Sequence, residues 1–153
     1  MLNISQVPRP ALWLGLAGLL PFLWGVATMH VDGLYAFGQG TLGGRFVAPF
    51  VLLSYGQIIL AFMSGVIWGF AARSEGPVQG LGFGLSVIPA LWAFLFVGGG
   101  PVSAAIYLIA GFVGVLMIDW FFWRNGLAPA WWMALRVPLT AIVCLCLAAV
   151  AFG

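Results

Sequence analysis

Five apolar runs, each about the length of a bilayer crossing, fill most of this 153-residue chain, and its eight charged residues fall between those runs or near their ends. Hydrocarbon offers no water to a peptide group, so a segment inside it must satisfy its own hydrogen bonds. A helix of about 20 residues does so across a core about 30 Å thick. The pattern predicts an all-α membrane protein: a five-transmembrane-helix bundle forming one integral membrane domain over residues 1–153.

Charged residues make up 5% of the chain and hydrophobic ones 64%, against roughly 25% charged in soluble domains. A water-soluble fold is excluded. With a net charge of +2 and no lysine, the chain lacks the clustered basic face that nucleic acid requires. The partners expected are the lipid bilayer and a membrane-protein complex.

Spans are predicted over about residues 11–29, 46–72, 80–97, 102–123 and 137–152. Pro8-Arg9-Pro10 leads into the first, because proline favours an extended residue before it and is accepted at a helix start. The run after Arg9 is longer than a signal-peptide core and lacks a small-residue cleavage site, so it reads as a retained helix. The second span would reach roughly 40 Å and must tilt or protrude. The fifth is short. Between them, residues 30–45 read as a Gly-rich loop, and residues 129–135, with Trp131 and Trp132, as a short interfacial helix before the last span.

Antiparallel neighbours place Arg9, Arg73, Arg124 and Arg136 on one side of the membrane and Arg45 on the other. The positive-inside rule then puts the N-terminus in the cytoplasm and the C-terminus in the periplasm of a bacterial inner membrane. Trp13, Trp68, Trp120, Trp123, Trp131 and Trp132 gather toward the arginine-rich side, as amphipathic rings at headgroup depth do.

Candidate site residues are few. Ser54, Gln57, Ala61, Ser64, Gly65 and Trp68 share one face of the second helix, within an arc of roughly 100°. Ala61, Gly65 and Gly69 form a small-xxx-small ladder on it. That face is expected to meet protein rather than lipid, either within the bundle or on a partner. Pro21 and Pro89 break the first and third helices and free a carbonyl in each. The segments Pro21-Phe22-Leu23-Trp24 and Pro89-Ala90-Leu91-Trp92 match, and in transporters paired breaks can mark a substrate site. Asp119 is the one acid inside a span, with Arg124, Arg136 or Arg73 as its expected partner.

No catalytic, cofactor or metal site is expected. Gly38, Gly40 and Gly43 spell a GxGxxG without a preceding strand. Cys144 and Cys146 point to opposite faces of a helix, and His30 near Asp32 and Arg45 reads as a solvated cluster.

Pro8-Arg9-Pro10-Ala11-Leu12, Pro21-Phe22, Tyr55-Gly56, Trp68-Gly69, Gly84 with Ser86-Val87 and Pro89, and Gly126-Leu127 leading to Arg136-x-Pro138-Leu139-Thr140 together resemble the membrane family that includes eukaryotic transmembrane protein 69 and proteobacterial relatives. The resemblance spans nearly the whole chain. It implies a bioenergetic inner membrane as the setting. The function expected is an accessory, structural or assembly subunit of a larger respiratory or photosynthetic complex. The alternative is a small-molecule or ion carrier at the proline-broken helices, and an enzyme is not expected, since general acid or base work needs a positioned titratable group.

Overall fold

A computed structural model describes residues 4–153. The described chain is all helix: α1 (Arg9–Ala17), α2 (Leu20–His30), α3 (Asp32–Thr41), α4 (Phe50–Ala72), α5 (Pro77–Phe96), α6 (Pro101–Arg124) and α7 (Trp132–Phe152). Taken together, α1 and α2 make one apolar stretch, and with α4, α5, α6 and α7 they give five helices long and apolar enough to cross a membrane. The protein is a multi-pass membrane protein. Its central helix is α4, which packs against α2, α5, α6 and α7.

Breaks in the first span follow from its glycine and proline. The Gly18 N–H donates to the Leu14 carbonyl at 2.9 Å, whereas the Leu19 N–H turns to Leu16 at 3.0 Å, a tighter 3-10 step. Pro21 then falls in the first turn of α2, where no amide donor is needed. The discontinuity therefore precedes Pro21 instead of lying at it.

Residues 30–45 are not the expected loop. Ten of them form α3, with Asp32 in its first turn, where a negative charge meets the positive end of the helix dipole. The helix sits tight on its neighbours at Gly38, where a Cβ would lie 2.7 Å from Val47 and 3.0 Å from Trp24. The Trp24 indole N–H donates to the Phe46 carbonyl at 2.8 Å, and the Ala48 N–H donates to the Thr28 hydroxyl at 3.0 Å. Those two bonds fix the return from α3 into α4.

Helices α5 and α7 begin earlier than predicted. Trp132 is already the first residue of α7, so residues 129–131 form a turn and residues 132–135 are the first turn of the last span itself, with no separate helix before it. At 21 residues α7 reaches about 31 Å, enough to cross.

The α4–α5 contact is bridged by polar groups. Pro89 lies buried inside α5 and disrupts its bond ladder, and the Ser64 hydroxyl from α4 accepts the Ala90 N–H at 2.8 Å. Gln57 donates its amide to the carbonyls of Ala93 (3.5 Å) and Val97 (3.3 Å), closing the end of α5. The rest of the predicted α4 face is turned outward: Ser54, Ala61, Gly65, Trp68 and Gly69 are exposed. A Cβ added at Gly65 or Gly69 would meet nothing within 4 Å. The close helix crossings use other glycines, such as Gly25 against Leu52 and Gly111 against Leu60 and Trp92.

Candidate functional site

The polar centre of the molecule is a buried ion pair near the arginine-rich end. Asp119 is wholly buried on α6, and Arg136 is buried one turn into α7. The intervening turn is held by the Leu127 N–H donating to Phe122 at 2.9 Å and by the Trp123 indole donating to Ala130 at 2.9 Å. Trp132 and Arg136 are four residues apart and so share a face of α7. Both point at the same carboxylate: the Arg136 Nε–H donates to Oδ2 at 2.7 Å and the Trp132 Nε1–H to Oδ1 at 2.8 Å. Phe70 stands edge-on to Trp132, with centroids 5.1 Å apart.

Charge makes this cluster costly unless it is complete. A lone ion held away from water costs several kcal/mol, and charge-assisted bonds to both carboxylate oxygens offset that penalty. Asp119 is satisfied on both sides. Arg136 is not, because its Nη2 is buried without a hydrogen-bond partner, and so is the Thr140 hydroxyl one turn further along α7. A buried donor or acceptor left unpaired costs about 1–3 kcal/mol.

Both orphaned groups belong to residues lining one cavity of about 550 Å³, within the roughly 300–1,000 Å³ typical of small-molecule sites. It lies between α1 and α2 on one side and α4, α6 and α7 on the others. The gap exists because α1 packs chiefly on α7, leaving the α4 side chains Tyr55, Ile59, Phe62, Met63, Val66 and Phe70 to form the opposite wall. Phe22, Tyr55 and Phe112 meet edge to face at its back, with centroids 5.2 and 6.3 Å apart. Leu14 and Phe62 line it too, yet they are 75% and 63% exposed, so the mouth opens on the outer surface of the bundle.

Among the sequence candidates, only Asp119 and Arg136 come together. Arg124 instead lies over the Trp120 ring at 5.1 Å, a cation–π contact. His30 and Asp32 are exposed, and Arg45 stacks on Phe46 at 4.9 Å. Gln57 and Ser64 are occupied at α5, and Pro89 is buried there instead of bordering the cavity. Among the described residues, no group of three or more His, Cys, Asp or Glu could hold a metal ion. In the sequence Trp132 reads only as an interfacial ring, and Tyr55 and Thr140 only as part of the family resemblance, none of them as a site residue. The readable signal for two of them was the polar spacing Trp132, Arg136, Thr140 along one helix face. What the arrangement offers chemically is a pair of unpaired hydrogen-bonding groups buried just behind the wall of an apolar, laterally open chamber.

The model of a family described as a protein of unknown function (DUF3429) matches residues 7–152. The chain belongs to this family. The match covers every residue that lines the cavity and both partners of the ion pair. Within the same group of sequences, transmembrane protein 69 of Xenopus tropicalis is 35% identical over 147 residues, 91% of this chain and 52% of the relative. Transmembrane protein 69 of Mus musculus is 30% identical over 139 residues, 88% of this chain and 52% of the relative. The chain thus spans about half the length of the curated relatives it matches. No solved structure matches this DUF3429 member.

Proposed function

We infer that this protein is a membrane-embedded binding protein, without catalytic chemistry of its own, which takes a lipophilic molecule sideways from the bilayer. The observation that carries this reading is the cavity of about 550 Å³ whose mouth lies at Leu14 and Phe62. An apolar chamber open to lipid takes in hydrocarbon at little cost. A polar end gives it something to select.

Filling the chamber tests the reading. Val66 lines it from α4 and is half-buried. Val66→Trp should leave the protein folded and strip it of lipophiles that co-purify with the wild type, as read by native mass spectrometry. Equal retention by both proteins contradicts the reading.

A second role has its own support. The outward ladder of exposed Ala61, Gly65 and Gly69, where a Cβ added at either glycine meets open space, suits close approach by a helix of a neighbouring membrane protein. On this reading the protein is an accessory or assembly subunit of a larger bioenergetic complex. Gly65→Leu should abolish co-purification of that complex from mild detergent while leaving the fold intact. Complexes recovered unchanged would remove the role. The setting proposed is a bacterial inner membrane, with the end bearing Arg9, Arg73, Arg124 and Arg136 in the cytoplasm.

A further inference from the structure

We propose that the polar end of the cavity, formed by Arg136 and Thr140, is a recognition site for the carbonyl oxygen of a neutral lipophile. The proposal rests on the lipophile-binding reading above and adds which head is chosen. Three observations carry it.

First, the free hydrogen-bonding capacity is of donor type. The Arg136 Nη2 carries only N–H groups, and the Thr140 hydroxyl can donate as well; both are buried and unpartnered. Residues four apart lie one above the other on a helix face, so both donors lie on the same side of α7, and an acceptor reaches them once the side chains that cover them give way. A carbonyl oxygen, with two lone pairs, accepts both.

Second, the local charge is already balanced. The Asp119 carboxylate takes the Arg136 Nε–H at 2.7 Å, leaving the pair neutral. A phosphate or carboxylate placed on Nη2 would share the guanidinium with Asp119 and meet its repulsion in a medium that screens poorly. A neutral acceptor escapes that cost.

Third, the rest of the chamber is apolar and aromatic, with Phe22, Tyr55 and Phe112 at the back and the opening at Leu14 and Phe62 for a tail. Those walls suit a flat ring or the glycerol end of a lipid. The shared chemistry is a carbonyl, supplied by a quinone ring or by an ester of a diacylglycerol.

The experiment uses the full chain in nanodiscs of ether-linked phosphatidylcholine, which has no ester carbonyl to compete. Saturable quenching of tryptophan fluorescence reports binding near Trp131 and Trp132, which line the cavity. The probes are a decyl-tailed benzoquinone, a diacylglycerol with brominated chains, a brominated fatty acid as the anion, and a brominated alkane without a head. One carbonyl probe should bind at least about tenfold more tightly than the alkane, and which of the two does so identifies the source. Thr140→Val should weaken it about tenfold and Thr140→Ser should restore it, a loss typical of one buried hydrogen bond. Tighter binding of the fatty acid, or affinity unchanged in Thr140→Val, overturns the proposal. An alkane that binds as well as the carbonyl probes overturns the carbonyl preference and leaves the cavity reading standing. No saturable binding of any probe removes both.

Discussion

Asp119, Arg136 and Trp132 show how a single carboxylate organises one end of this protein. Breaking a buried pair by removing one partner leaves an uncompensated charge and costs about 3–5 kcal/mol, whereas replacing both partners by apolar residues is often neutral or stabilising. Asp119→Leu is therefore expected to lower the unfolding temperature in detergent sharply. The double variant Asp119→Leu with Arg136→Met should recover most of the loss, read by thermal unfolding of both proteins. A double variant as unstable as the single one would mean that the pair is not the source of the cost. Asp119 and Arg136 were legible in the sequence because charge inside an apolar run has few explanations. Choosing Arg136 over Arg124 and Arg73 was not, since three arginines sit near the same membrane face and only the turn after α6 decides which one comes round. Thr140 was silent for a related reason: a hydroxyl in a membrane helix ordinarily bonds to the carbonyl one turn back, and only the folded packing reveals that this one is left over.

At the scale of elements, small residues separate into two kinds that sequence spacing does not distinguish. Gly111 lies where a Cβ would come within 2.8 Å of Leu60 and 2.9 Å of Trp92, while Gly65 faces open space. Overpacking costs about 1–3 kcal/mol, so Gly111→Val should destabilise the purified protein and Gly65→Val should not. Equal unfolding temperatures for the two would contradict this placement of the helices. The α4 ladder was readable as a pattern, but its direction was not. A helix face rich in small residues suits protein on either side, and the side is set by which partner the neighbouring polar groups, Gln57 and Ser64, reach. Helix α3 was missed because Gly33, Gly38 and Gly40 each lower helix propensity by about 1 kcal/mol. Packing of Gly38 on Trp24 and Val47 outweighs that preference. Span boundaries failed where polar or interfacial residues such as Trp132 continue a helix beyond its apolar stretch.

For the whole molecule, an odd number of crossings puts the two chain ends on opposite sides of the membrane. Reporter fusions at residue 9 and after residue 152 are expected to give opposite signals, with the N-terminal side cytoplasmic; matching signals would contradict the proposed threading. The five helices long and apolar enough to cross were plain from hydropathy alone, because hydrocarbon forces each span to be helical and long. The cavity was not, since it arises from α1 leaning on α7 and away from α4, a relation that no local pattern encodes. The chamber is what separates a binding protein from an inert bundle, and its occupancy can be mapped residue by residue. A tail-labelled photoactivatable lipophile is irradiated in membranes containing the full chain, and the adducts are located by mass spectrometry. Adducts should concentrate on cavity residues such as Ile59, Val66 and Leu139 and fall away with unlabelled competitor. Labelling spread over the outward residues Phe94 and Leu145, which are 82% and 72% exposed, with none enriched in the chamber, would contradict the binding role.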